Sequence, residues 1–247
     1  MEFCIANLII EYRDDFIGLA ENKSFLEYSF DKSNSTEAEH LNLTSIEYEN
    51  YIKSQNGLYK YNQEILALAM LAEKLPQFSR LLMHGAAIQY CGSSYVFCAP
   101  SGTGKTTHIS LWKRYIGDSV TIINGDKPIL YIPKEKNGIQ NVIAYGTPWA
   151  GKEGWQSNTS APLNAICFLK RGDRNSISEV CFDKSINLLA KQIYYPMGKA
   201  EAVNTLEMMD KLITGIPCFE LTCTISRQAV EVSFEALTGR KLENSLM

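Results

Sequence analysis

An apolar strand, a glycine-broken loop and the start of a helix follow one another without interruption in YVFCAPSGTGKTTHISLW, and this order constrains the fold more than any other feature of the chain. Read against G-x-x-x-x-G-K-[ST], the run from Ala99 to Thr106 matches with alanine in place of the first glycine. Gly102 and Gly104 let backbone N–H groups turn inward, and the helix that starts at the Gly-Lys step adds the partial positive charge of its N-terminus. Such a loop cradles phosphate. Ser101, Gly102, Thr103, Gly104, Lys105, Thr106 and Thr107 are its candidate nucleotide-binding residues, with Lys105 reaching the β and γ phosphates and the Thr106 hydroxyl ligating Mg²⁺.

A metal-ligating carboxylate should come from a neighbouring strand. A helix from Gly104 to Ile116 rises about 20 Å at 1.5 Å per residue, and the strand VTIING runs back about as far, returning Asp126 to the mouth of the loop. The spacing suits a metal ligand. A turn residue in Gly-Asp is the competing reading of Asp126.

The rest of the chain reads as alternating strands and helices. FCIANLIIE (3–11) and FLEYSF (25–30) are expected strands, NQEILALAMLAEKL a helix ending before Pro76, and the loop from Ser33 to Glu39 mobile. LLMHGAAIQY reads as one strand, CGSS as a turn, and VTIING, PILYIP, NVIAYG and LNAICFLK as further strands. SINLLAKQIYY and EAVNTLEMMDKLITGI read as helices, CFELTCT as a strand, and a closing helix starts from Ser226 as N-cap. The expected class is α/β: a P-loop core with a mixed β-sheet flanked by helices, over residues 61–247, and a small N-terminal β-rich region over residues 1–60.

Composition narrows the partners. Twenty-four basic against 27 acidic residues give a net charge of -3, so no global positive field draws the chain to nucleic acid or to an anionic membrane. Seven scattered cysteines with no CxxC pair fit reduced thiols and a cytoplasmic setting. MEFCIANLIIEYRDD makes a poor signal peptide, and ILALAMLA is too short to cross a bilayer.

Taken in order, LLMHGAAIQYCGSSYVFCAPSGTGKTTH and INGDKPIL resemble the HPr kinase-like branch of the phosphoenolpyruvate carboxykinase superfamily. AYGTPWAGKEGW, Asn158, APLNAICFLKR and Asn175 resemble a subgroup of small kinase-like proteins within it. The similarity covers about residues 65 to 224. It implies an ATP and Mg²⁺ site and transfer of the γ-phosphoryl group to a hydroxyl on a protein, a peptide or a small molecule. Thr106 and Asp126 would hold the metal, and His84 would lie near the reacting phosphate, the alternative being a histidine satisfied at a strand end. Two departures accompany the resemblance. Gly125 stands where the family has the first of two acids, its general base, which leaves open a nucleotide-binding pseudokinase with a regulatory role, or a base supplied by Asp126 or Glu153. The glycine-rich E-[IV]-R-G-x-G signature is replaced by TPWAGKEGW, in which Lys152 would meet the phosphates while Trp149 or Trp155 packs over the site, or Lys152 is simply solvated. A carboxykinase acting on a small acid is a third reading, weakened by the absence of an obvious arginine cluster. A homo-oligomer is left open.

Overall fold

The computed structural model describes residues 2–12, 39–43, 63–134 and 142–242. The expected strand at 25–30 and the loop at 33–38 lie outside them. The N-terminal apolar run folds as a hairpin, not as the single strand its β-branched composition suggests. β1 (Glu2–Ile5) and β2 (Leu8–Tyr12) pair antiparallel across Ala6 and Asn7, which have φ of 53° and 57°. A left-handed alanine carries no turn signal in sequence, and Asn7 alone does not mark the bend. β3 (Glu39–Leu43) joins β2 in parallel.

This small sheet is stabilised by packing on α1 (Gln63–Lys74). Phe3, Ile5, Leu8 and Ile10 share one apolar cluster with Leu66 and Leu71 of that helix. Each side chain buried to this degree contributes about 1.5–3 kcal/mol, which an isolated three-stranded sheet would lack. The helix stops where expected: Pro76 sits at the start of a 3₁₀ turn, Leu75–Phe78.

The main sheet is mixed and, among the described residues, has nine strands. Its path is β4 (Arg80–Leu82), β8 (Ile129–Tyr131), β9 (Ile143–Tyr145), β10 (Ser160–Arg171), β6 (Ser93–Cys98), β5 (Ala86–Tyr90) and β7 (Val120–Asn124). β12 (Cys218–Cys223) pairs in parallel with the far half of β10, and β11 (Ser176–Glu179) lies antiparallel beyond it. β11, SISE, has no apolar alternation and was missed for that reason.

β6, β10 and β12 form the parallel centre and are covered on both faces. Val96, Ile166 and Phe168 face α3 (Phe182–Ala190) and α4 (Lys199–Gly215), through Leu189, Met208 and Leu212. Phe97, Ala165 and Cys167 face α2 (Lys105–Ile116) and α5 (Arg227–Thr238), through Trp112, Val230 and Phe234. The period-2 alternation along β6 and β10 thus divides the core into two layers. Ser226 caps α5 as expected, accepting from the N–H of Ala229. No helix among the described residues is long and apolar enough to cross a membrane.

Candidate phosphate-binding site

β6 leads into the glycine loop at the carboxyl edge of the parallel strands, the place where open α/β sheets bind ligands. Gly102 and Gly104 have φ of 76° and 118°, conformations that side chains other than glycine rarely adopt. α2 then begins at Lys105 with no side-chain cap on its first turn. From the end of β10, the Arg171 guanidinium donates to the carbonyls of Gly102 and Thr103, the latter at 3.1 Å. In a trans peptide the N–H opposes the C=O, so the carbonyl of Thr103 held by Arg171 directs the Gly104 N–H the other way. Ser101 and Thr107 are exposed, and Thr103 and Thr106 are half-buried.

Three separate segments meet behind the loop. Lys105 is 7% exposed; its Nζ donates to the carbonyl of Ala99 at 2.9 Å and lies 3.0 Å from His84 Nε2. The same imidazole nitrogen stands 3.3 Å from Asp126 Oδ1, and Lys127 Nζ stands 2.7 Å from Asp126 Oδ2. Burial pulls the Lys105 ammonium below its ordinary range, with the Asp126 charge opposing that shift. Burial pushes the Asp126 carboxyl up, but hydrogen bonds from His84 and Lys127 outweigh it and hold the group well below the usual carboxylate range. Asp126 is therefore ionised at neutral pH.

His84 reaches this position because the strand expected over 81–90 is interrupted. Met83 to Gly85 leave the ladder between β4 and β5, and the Gly85 N–H donates to the carbonyl of Asp126 at 3.0 Å. A Cβ on Gly85 would stand 2.8 Å from Val96 Cγ1, so this close approach requires glycine. Asp126 is fixed in turn by Asn124. The Asn124 Oδ1 accepts from the backbone N–H groups of Asp126 and Lys127 at 2.8 and 2.6 Å, and its Nδ2 donates to Thr147 O and Oγ1, both at 3.0 Å. Asn124 and Thr147 are fully buried. An asparagine two residues before the aspartate is a turn signal the sequence did carry; Thr147, 23 residues away, left none.

The loop after β9 supplies the remaining wall. Gly151, at φ 79°, packs against Asp126, to which a Cβ would approach within 3.3 Å, and Glu153 Oε2 lies 3.7 Å from the same point. Lys152 is exposed on this turn, and among the described residues no hydrogen bond or ion pair joins it to the phosphate loop. Neither tryptophan covers the loop. Trp149 is buried with Leu66, Leu82 and Ile129 in the N-terminal cluster, and Trp155 packs against the layer containing Trp112 while its carbonyl accepts from Gly125 N–H at 2.8 Å. At Gly125 a Cβ would stand 2.9 Å from the carbonyl oxygen of Ala150. The missing acid is thus a position closed by backbone.

Beside the loop opens a cavity of about 510 Å³, lined by Thr103, Gly104 and Thr107 on one side and by Leu111, Leu169 and Ile225 on the other. Its volume falls in the range of small-molecule sites. Its lining comes from three distant segments, so sequence spacing does not reveal it.

A Mg²⁺ ion takes oxygen ligands, keeps several waters, and needs only one or two carboxylates beside substrate phosphates. Asp126, ionised, and the Thr106 hydroxyl suit that chemistry. Among the described residues no group of three or more His, Cys, Asp or Glu side chains forms a dedicated metal cage.

No protein-family model matches the chain, and no curated protein matches it. Among solved structures it is similar to the HPr(Ser) kinase/phosphatase from Coxiella burnetii, at 10% identity and a TM-score of 0.33, over 64% of this chain and 93% of that one.

Proposed function

We propose that the protein is an ATP- and Mg²⁺-dependent phosphotransferase that moves a γ-phosphoryl group to a hydroxyl of a protein, a peptide or a small molecule. The carrying observation is the chain Lys105, His84, Asp126, at 3.0 and 3.3 Å, which converges from three segments on the start of α2. Phosphates bind the N–H groups of residues 101–107 and the Lys105 ammonium, and the base of the nucleotide occupies the cavity lined by Leu111, Leu169 and Ile225. Thr106 and Asp126 hold the metal, which neutralises charge on the phosphate oxygens. His84 presents one ring nitrogen, Nε2, to both groups, accepting from Lys105 in one tautomer and donating to Asp126 in the other. Lys152 moves onto the phosphates from its exposed turn.

In the reaction, the acceptor oxygen bonds to the γ-phosphorus while the bond to the β,γ-bridging oxygen breaks, and ADP leaves with the electron pair. Asp126 is paired by Lys127 and His84, which suits metal ligation better than proton uptake. The hydroxyl proton passes to an oxygen of the transferred phosphoryl group, as a loose transition state with little early demand for a base allows.

The Gly125 backbone contact favours a second reading, a nucleotide-binding pseudokinase, because no paired acid fits there. Both readings place residues 1–60 as a module on a core of residues 61–247, and the seven free thiols suit a reducing cytoplasm. Incubation with γ-labelled ATP and Mg²⁺ separates the two. The first expects labelled product or labelled inorganic phosphate that disappears in Lys105→Ala; nucleotide binding without any transfer, even to water, would support the second.

A further inference from the structure

Beside His84, one buried side-chain oxygen has no use in the fold. Gln192 is 7% exposed, and its side-chain Oε1 has no hydrogen-bond partner among the described residues. Most buried polar atoms are satisfied, and an orphan calls for a physical reason. Its place in the fold supplies one.

The segment after α3 runs antiparallel to the interruption between β4 and β5. Met83 pairs with Ile193, the Tyr194 N–H donates to Leu82 O at 3.0 Å, and the His84 N–H donates to Gln192 O at 2.7 Å. In an antiparallel pair, residues opposite one another project to the same side. The packing confirms this register: Met83 and Ile193 lie in one apolar cluster, while Leu82 and Tyr194 lie in the other. His84 and Gln192 are the next opposed positions, which sets Gln192, at the turn after α3, directly beside the histidine that touches Lys105 and Asp126.

We propose that Gln192 contacts the phosphoryl acceptor, its Oε1 accepting the hydrogen bond of the hydroxyl, from water or an alcohol, that attacks the γ-phosphorus. The inference rests on the phosphotransferase reading and deepens it. Gly125 offers no carboxylate, and in that reading Asp126 is committed to the metal. A neutral carboxamide acceptor orients the hydroxyl without taking its proton, which passes to the transferred phosphoryl group in the step given above. The orphaned oxygen is satisfied when the acceptor is bound.

The test uses the full chain, Mg·ATP as the probe and water as the acceptor, with inorganic phosphate release and thermal unfolding read in parallel. Gln192→Met keeps the volume and removes the orphan. Its melting temperature without nucleotide should equal or exceed that of the wild type, and its upward shift with Mg·ATP should be retained. Phosphate release should fall about 10²-fold, the scale of losing correct placement of a reacting group. Gln192→Glu restores an acceptor oxygen, so release should recover and acquire a rise with pH as the new carboxyl ionises. A merely structural role would not create that pH dependence. Release at the wild-type rate in Gln192→Met would overturn the inference. So would joint loss of release and of the Mg·ATP shift, or a Gln192→Glu variant as slow as Gln192→Met with no pH dependence. A wild type that shifts with Mg·ATP yet releases no phosphate would also overturn it. No Mg·ATP shift in the wild type would instead sink the phosphotransferase reading itself.

Discussion

Gly125 illustrates how a residue can mislead when read as an absence. In sequence it is the acid that is not there, and restoring the acid looks like the natural experiment. In the structure its N–H is held by the carbonyl of Trp155, and a side chain would run into the carbonyl of Ala150 at 2.9 Å. Backbone on both sides cannot yield as a flexible side chain does. Gly125→Asp should therefore lower unfolding free energy by about 1–3 kcal/mol, the range for forcing extra atoms into a packed site, and should bring no gain in turnover. Urea titration alongside the phosphate-release assay checks both parts, and a variant as stable as the wild type with faster release would restore the missing-base explanation. Of the candidate site, the residues legible in the sequence are those whose chemistry is local: the glycines, Lys105, Thr106 and the Asp126 turn. His84 was legible as a candidate because His-Gly precedes the loop in a recognisable order. Thr147, Arg171 and Gln192 were not, since each acts through a contact with a residue more than 20 positions away.

Among elements, α2 and α5 show how a helix pair behind the phosphate loop is locked. His108, 3% exposed, lies 3.1 Å from Ser233 Oγ, and Trp112 Nε1 donates to the same hydroxyl at 2.9 Å. Burial pushes the His108 imidazole down to about 4. A folded-state value depressed below the unfolded 6.5 means that the unfolded chain binds the proton first. The stability this neutral histidine represents is fully present above about pH 6.5 and is lost as pH falls towards about 4. The difference corresponds to about 3 kcal/mol at 1.36 kcal/mol per unit. Urea unfolding at pH 7 and pH 4.5 should show most of that loss in the wild type and much less in His108→Gln, which cannot protonate; identical pH profiles would disprove the assignment. Element boundaries divide along the same physical line as the site residues. α1, α2, α4 and α5 lie where periodicity, Pro76 and Ser226 put them, because caps and breakers act locally. The hairpin at Ala6 and Asn7, the break at His84 and the polar strand β11 were invisible because tertiary contacts, and not propensity, create them.

At the scale of the whole molecule, the loop, the cavity and the helix pair form one connected unit. α2 starts in the phosphate loop, lines the cavity through Thr107 and Leu111, and buries Trp112 in the core against α5. Phosphate bound on its N-terminus, as the proposed function requires, would thereby be coupled to the packing of this face of the sheet. The ion-pair arrangement at Asp126 and the lowered proton affinity of Lys105 both respond to an added anion: phosphate beside Lys105 favours its charged form and relieves the desolvation that now opposes it. A nucleotide at about a hundred times its dissociation constant should raise unfolding free energy by about 2.7 kcal/mol, or several degrees in melting temperature for a chain of this size. The rise should require Mg²⁺ and vanish in Lys105→Ala. Replacing Leu169 by Asp in the cavity should weaken the response to ATP while leaving that to inorganic triphosphate, which has no base to bury. Equal loss with both ligands would mean that Leu169 supports the loop instead of the base, and that the nucleoside lies elsewhere on the carboxyl edge of the sheet.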